Sequence, residues 1–347
     1  MADVTISQLG LGTPTTGIVV PYSDGTTTYQ AKLSSLITAT GDMGSGAFRI
    51  PVGTTAQRPQ TTATGMIRYN TTSSSLEFYN GSAWINIVGT YTAEVLVVAG
   101  GGGGGLCYGG GGGAGGLIYN PNFVLTSGTV TPITVGAGGV GRAVNGASGV
   151  NGNNSIFGSF TAIGGGGGGG GCGTVGLNGG SGGGGSSSPS PFAGGTGTAG
   201  QGNNGAISPY GEGGGGGGAG FATSVRKGGD GIQYSITGIS KYYAGGGTGG
   251  MWPASNNLAG GLGGGGTGGY FTTPNTADAT PNTGGGGGGS IQSGTSYSGQ
   301  GGSGIVIVRY QGTQRASGGN NIYQITESGI TYTVHEFTSI GSSTLTA

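Results

Sequence analysis

Side chains able to do acid–base or metal chemistry are few in this chain. The 347 residues hold one histidine, His335, and ten carboxylates balanced by ten Lys plus Arg, for a formal net charge of zero. His335 lies in the strand-like stretch Tyr332-Thr333-Val334-His335-Glu336-Phe337-Thr338 with no further His, Cys or Asp beside it, so it reads as a surface or sheet histidine rather than a ligand set. Glu212, Asp230 and Asp278 are the carboxylates of the glycine-rich middle segment. A flanking pair is the minimum for glycan hydrolysis, and their spacing selects none. Cys107 and Cys172 are too few for a disulfide framework or a zinc site, leaving free thiols or a single bridge open. GxGxxG recurs, but none opens a helix after a strand, and GxxxxGK[ST] is absent, so no cofactor site is expected. Arg226, Lys227 and Lys241 form a weak basic cluster that reads as a solvated face. Ten scattered basic residues do not make a phosphate-binding surface, so no nucleic-acid partner is expected. The chain is read as a non-enzyme.

Recognition is chemically better supplied. Five inserts interrupt the glycine-rich segment: Ser186 to Phe192, Ile207 to Tyr210, Met251 to Asn257, Tyr270 to Asn282, and Ile291 to Tyr297. They carry Phe192, Tyr210, Trp252, Asn256, Tyr270, Phe271 and Tyr297. If the glycine runs are rods, the inserts are turns at rod ends. Aromatic and amide groups on rigidly supported loops suit contact with sugars or proteins, with little entropy lost on binding. These seven are the candidate receptor-binding residues. The competing reading is that the inserts only reverse the chain and pack on one another.

The elements that position these loops follow from where glycine falls. Of 96 glycines, 80 lie within residues 100–304, in pure runs at 100–105, 109–113, 164–171, 213–218 and 284–289. Between and around the runs sit β-rich stretches: Glu94 to Ala99, Leu117 to Tyr119, Phe123 to Leu125, Val130 to Val135, Ser155 to Phe157, Phe160 to Ile163, Tyr234 to Ile239, and Ile305 to Val308. Collagen is excluded because glycine is not held to every third position and there are 12 prolines. The alternation with buried-strand patterns argues against a disordered linker. The reading left is an extended left-handed helix of the polyproline II type, built from glycine, with about three residues per turn and a rise of about 3.1 Å. Such a helix has no internal hydrogen bonds, so its backbone groups must be satisfied by neighbours. Only glycine permits neighbours to approach on every side.

Upstream, Gly65 to Asn70, Leu76 to Tyr79 and Ala83 to Ile87 read as three short strands, with Asn80-Gly81 marking a hairpin turn. So small a meander buries little alone and needs other copies or a docking surface. Residues 31–39 (AKLSSLITA) read as one short helix. The start, MADVTISQLG, lacks a basic and an apolar region and is not read as a secretory signal. No window of 18 apolar residues occurs, so no membrane-inserting helix is expected.

Several of these stretches resemble known phage modules. AEVLVVAGGGGGG at 93–105 resembles the opening strand of the glycine-rich domain of many phage fibre proteins. GGGGAGGLIYN at 110–120, TVTPITVGAGG at 129–139 and NGNNSIFGSFTAIGGGGGG at 151–169 continue the pattern, and GGSGIVIVRY at 301–310 resembles its closing strand. Arg49 to Pro59, with Thr64 to Asn70 and Leu76 to Trp84, resembles a module of tail-fibre and other virion proteins, and Met1 to Thr40 resembles the attachment segment before it. The resemblance to tailed-phage fibre proteins implies an all-β chain: a small N-terminal meander and attachment region, then a β-sandwich carrying a bundle of polyglycine II helices. It implies an attachment segment at 1–40, a meander module at 41–90, the glycine-rich domain at 91–310, and strands at 311–347 that complete the sandwich or pair with a neighbour. The function implied is that of a virion fibre or adhesin at the particle surface. It would dock on other virion proteins by its N-terminus, form a homotrimer, and attach to a host-surface glycan or protein. A structural or decoration role without receptor contact, and a glycan-depolymerising spike, are the other readings.

Overall fold

Contacts along the chain divide it into residues 1–88 and 89–347. The computed structural model describes residues 19–23, 28–32 and 50–347, apart from 74, 88, 143–146, 172, 188–189, 224, 252–257, 271–275 and 292–296. In the first unit, β1 (Val19–Ser23) and β2 (Thr28–Lys32) pair antiparallel. β2 takes in Ala31 and Lys32, so the helix expected at 31–39 does not start there, and the rest of that stretch lies outside the described residues. Most of the segment expected to attach to the virion lies outside them too. β3 (Val52–Gly53), β4 (Ile67–Asn70), β5 (Ser75–Tyr79) and β6 (Trp84–Ile87) form a four-stranded sheet in that order. The β5–β6 hairpin turns at Asn80-Gly81 as expected. Its loop is residues 80–83, held by the Asn80 Oδ1, which accepts the Ser82 and Ala83 N–H at 2.9 Å each.

The second unit is a sandwich. Its strands are β7 (Thr90–Val98), β8 (Leu117–Thr126), β9 (Val130–Val135), β10 (Ser155–Phe157), β11 (Phe160–Ala162), β12 (Ile232–Tyr234), β13 (Lys241–Tyr243), β14 (Ile305–Gln311), β15 (Asn321–Glu327), β16 (Ile330–Phe337) and β17 (Gly341–Thr346). One sheet runs β15-β16-β14-β7-β8 and the other β11-β10-β9-β17. Side chains alternate between faces of a strand. Val95 and Val97 of β7, with Val306, Val308 and Tyr310 of β14, meet Ile133, Phe157 and Leu345 of the second sheet. The opposite faces, Leu96, Val98, Ile305 and Ile307, pack against Ile236 and Tyr243 of the β12–β13 hairpin. Both middle strands are therefore covered on both sides, which is why they read as unbroken apolar runs. The single strand expected at Tyr234 to Ile239 is instead the end of β12 and the turn into β13. Residues after 311 add β15 and β16 to one sheet and β17 to the other. Among the described residues there is no α-helix.

The glycine runs leave the strand ends and bond to one another with a period of three. After β7, the Gly102 and Gly105 N–H donate to Gly113 and Gly110 (2.9 Å each). Gly100 and Gly103 donate to Asn153 and Val150 (3.0 and 2.9 Å), and Gly101 and Gly104 to Gly302 and Gly299 (3.0 and 2.9 Å). Three neighbours are thus addressed in rotation. The return segment repeats this: Gly109, Gly112 and Gly115 bond to Ser290, Gly287 and Gly284, while Gly110 and Gly113 bond to Gly169 and Gly166, and Gly111 and Ala114 to Gly214 and Gly217. In run 164–171 one of the three rows is met by side chains instead. Gly164, Gly167 and Gly170 donate to the Asn154 and Asn151 Oδ1 and to the Thr174 Oγ1 at 2.8–2.9 Å.

This spacing leaves no room for a side chain. A Cβ on Gly102 would overlap the Gly166 carbonyl oxygen, and one on Gly286 the Gly112 carbonyl oxygen. Both obstacles are backbone atoms held by their own bonds. A Cβ on Gly89 would meet nothing within 4 Å. Gly286→Ala is expected to cost at least the ~1–3 kcal/mol typical of overpacking, read as a lowered urea midpoint or loss of soluble folded protein, while Gly89→Ala leaves the midpoint unchanged.

His335 is a sheet residue, but it is fully buried rather than at the surface. Its Nδ1 lies 2.7 Å from the Gly318 carbonyl oxygen, which can only accept, so Nδ1 carries the proton. The Tyr310 oxygen accepts the Arg315 and Ala316 N–H at 3.0 Å each, and its own proton goes to the His335 Nε2 at 2.9 Å. Every site on the neutral ring is used. Burial pushes the imidazole below its ordinary pKa, outweighing the bond to Gly318 that raises it. A depressed folded pKa means that this contribution is complete above the ordinary value of 6.5 and is lost as pH falls through the lower folded value. Urea unfolding at pH 7.5 and 5 is expected to show stability falling with acid. His335→Leu flattens that dependence and costs about 1–3 kcal/mol at pH 7.5 through the orphaned Tyr310 and Gly318 groups.

Candidate binding site at the ends of the glycine runs

Run 100–105 starts where β7 ends, and the chain returns to β8 at Leu117, so the turn Leu106-Cys107-Tyr108 lies at the end of the bundle away from these strands. Other run ends are bonded to this turn at the same level. Tyr108 N–H donates to the Ile291 carbonyl and Ser187 N–H to the Tyr108 carbonyl, both at 3.2 Å. Gly171 donates to Leu106 (2.9 Å), Gly250 to Gly109 (2.9 Å) and Gly213 to Gly250 (2.8 Å). Met251 bridges to Tyr270, and Gly269 N–H donates to Gly289 at 2.9 Å. Leu106, Met251 and Ile291 are buried here and plug the bundle end with apolar volume.

Four of the seven candidates are placed, and all four gather at this end. Tyr210, 79% exposed, immediately precedes Gly211, whose N–H donates to the Ser187 Oγ at 2.8 Å. Tyr297 precedes Ser298, whose Oγ donates to the Gly104 carbonyl at 2.7 Å, and is 62% exposed. Tyr270 is half-buried at the Met251 bridge. Phe192 is half-buried, with its N–H on the Ser208 Oγ at 2.8 Å and its carbonyl accepting from the Ser208 N–H at 3.0 Å. Trp252, Asn256 and Phe271 lie outside the described residues. Sequence reasoning passed over Leu106 and Tyr108. The available signal was that large side chains interrupt two glycine runs there.

Cys107 and Tyr108 hold φ of +64° and +49°, left-handed values that cost a non-glycine residue of order 1–3 kcal/mol each. Cys107 is disulfide-bonded, and the sequence has one other cysteine, Cys172, outside the described residues. The carboxylates weighed for hydrolysis each have a local partner. Glu212 pairs with Arg226 at 2.7 Å, Asp230 pairs with Lys227 at 3.1 Å and accepts the Leu262 N–H at 2.8 Å, and Asp278 accepts the Gln300 N–H at 2.7 Å. Arg226 and Lys227 are thus drawn into ion pairs, and Lys241 sits 5.2 Å from the centre of the Tyr243 ring. Among the described residues no three His, Cys, Asp or Glu side chains are grouped to hold a metal ion.

Among its described residues this end offers turns joined by main-chain bonds and two well-exposed tyrosines. It can make apolar, stacking and hydroxyl contacts. No curated protein and no solved structure matches the chain. A family model for a glycine-rich domain matches residues 71–311, which takes in every glycine run and the strands from which the runs leave. The chain belongs to this glycine-rich domain family.

Proposed function

We propose that the chain is a phage virion fibre or adhesin component that attaches to the host surface through the ends of its glycine runs. The observation that carries this reading is the gathering of Phe192, Tyr210, Tyr270 and Tyr297 at one end of the bundle, on turns bonded to one another. The occupant is a host-surface glycan or protein: exposed tyrosines stack on sugar rings and anchor protein contacts alike. In this reading each glycine run is a polyglycine II helix, supported by the three-residue period of its bonds. The N-terminal segment docks on other virion proteins, the assembly is a homotrimer, and the protein works at the particle surface. The phage assignment is supported by the resemblance of residues 49–84 and 93–310 to fibre modules.

The test is binding of the fluorescently labelled full chain to intact cells of a bacterial panel that includes candidate hosts. Saturable binding restricted to some strains is expected, with Tyr210→Ala and Tyr297→Ala together weakening it at least about tenfold, the loss of one good anchor. Absence of binding from folded protein, or full binding by the double variant, moves the reading to a structural or decoration protein.

A further inference from the structure

Asn-Gly is a turn signal, and it is also the pair in which a side-chain amide is most open to attack by the main chain. Glycine has no Cβ to keep its nitrogen away from the preceding Asn Cγ. The sequence holds five such pairs, starting at Asn80, Asn145, Asn151, Asn178 and Asn204, of which Asn145 lies outside the described residues. The other four asparagines are all exposed, so access of water does not separate them. The glycine nitrogens do. Gly152, Gly179 and Gly205 donate their N–H to the carbonyls of Gly165, Thr196 and Gly195 at 2.9, 3.2 and 2.9 Å. A Cβ on any of these three would overlap main-chain atoms, so the nitrogens are hemmed in by the packed runs. The Asn151 amide is also tied at both ends: its Oδ1 accepts the Gly167 N–H at 2.9 Å and its Nδ2 donates to the Asn178 carbonyl at 3.0 Å.

Asn80-Gly81 is arranged the opposite way. Residues 80–83, the β5–β6 loop, are all exposed. Among the described residues no group accepts the Gly81 N–H, and none accepts from the Asn80 Nδ2. Gly81 holds φ +101°, and a Cβ there would meet only the Thr64 side chain. The Asn80 Oδ1, in contrast, accepts two main-chain N–H groups, those of Ser82 and Ala83, at 2.9 Å each. Two donors on one carbonyl oxygen polarise its carbon and stabilise negative charge that develops on the oxygen, as in an oxyanion hole. The loop therefore leaves the attacking nitrogen and the leaving amine unbonded and holds the carbon between them activated.

We propose that Asn80 is a self-modification site, where the folded chain converts its own side-chain amide to a carboxylate. The Gly81 nitrogen, deprotonated by hydroxide, bonds to the Asn80 Cγ. The Cγ–Oδ1 electron pair moves onto Oδ1, beneath the Ser82 and Ala83 N–H groups. The Cγ–Nδ2 bond then breaks, Nδ2 takes a proton from water and leaves as ammonia, and a cyclic imide remains. Water opens the imide at either carbonyl and gives aspartate or isoaspartate. The balance is amide plus water to carboxylic acid plus ammonia. The formally neutral chain gains one negative charge at the hairpin tip. The isoaspartate branch also adds a carbon to the main chain inside the loop that the Asn80 N–H closes on the Ala83 carbonyl at 3.0 Å. The small sheet of the first unit thus carries a slow chemical clock. The proposal does not rest on host attachment and holds or fails separately from it.

The test is peptide mapping by mass spectrometry of the full chain, held folded at pH 8 and sampled over weeks, beside a parallel sample in urea. Each Asn-Gly peptide is followed by its amide-to-acid mass change and by the separation of its aspartate and isoaspartate forms. In the folded chain Asn80 is expected to convert at least about tenfold faster than Asn151, Asn178 and Asn204, because each of those must first open a bond of the glycine bundle. In urea the four rates converge, since the reacting pair is the same. Asn80 itself converts at least as fast folded as in urea, because the turn supplies the two N–H groups. Folded-state conversion of Asn80 no faster than at the three bundle sites, or slower than in urea, overturns the proposal.

Discussion

A buried backbone N–H or C=O must find a partner, and in this protein that requirement falls on glycine. The runs have no side chains to bury, so they cannot be held by an apolar face. Their amides and carbonyls are the only groups they can use. Bonding three neighbours in rotation satisfies each run from all sides, and each bond contributes only ~0.5–1.5 kcal/mol net. The stabilisation is therefore spread over many weak, mutually dependent contacts. Where a backbone neighbour is missing, as along one row of run 164–171, Asn151, Asn154 and Thr174 supply the acceptors.

The sandwich and the run ends both depend on that bonding. β7, β8, β9, β10, β11 and β14 launch or receive the glycine-rich segments, so the two sheets fix where those segments begin and end. At the far end, Leu106, Met251 and Ile291 plug the bundle, and main-chain bonds join Tyr108 to Ile291 and Ser187. Tyr210 and Tyr297 are exposed next to residues bonded into this end, Gly211 to Ser187 and Ser298 to Gly104. His335 and Tyr310 do the corresponding service on the sandwich side, tying the 315–318 segment to β14 and β16.

Much of the fold was legible because its signals are local. Continuous apolar runs at 94–99 and 305–308 marked strands covered on both faces, and the glycine runs required close neighbours. Less legible features depended on long-range pairing. β15 and β17 are half-exposed or edge strands of mixed composition, without the apolar run that flags β7. Tyr234 to Ile239 has strand-like composition, yet it turns because Ile236 is needed under the sheet against Leu96 and Ile307. The burial of His335 depends on Gly318 and Tyr310, which are distant in sequence. At the candidate site, the inserts were readable as run ends. Their gathering at one end follows only from the bonds between runs. The burial of Arg68, Asn70 and Glu77 in the first unit's sheet was not readable either, since the alternation of β4 and β5 does not say which face is covered.

The most direct test is hydrogen exchange of the full chain labelled with ¹⁵N-glycine, followed by NMR after transfer to D₂O. Of the 96 glycines 80 lie in residues 100–304, so the glycine amides report mainly on that segment. If the runs are bonded as described, most of these amides are protected to the level of the β7 and β14 amides and are lost only with global unfolding. Glycine amides that exchange at unfolded-chain rates while the β7 and β14 amides stay protected would contradict the account.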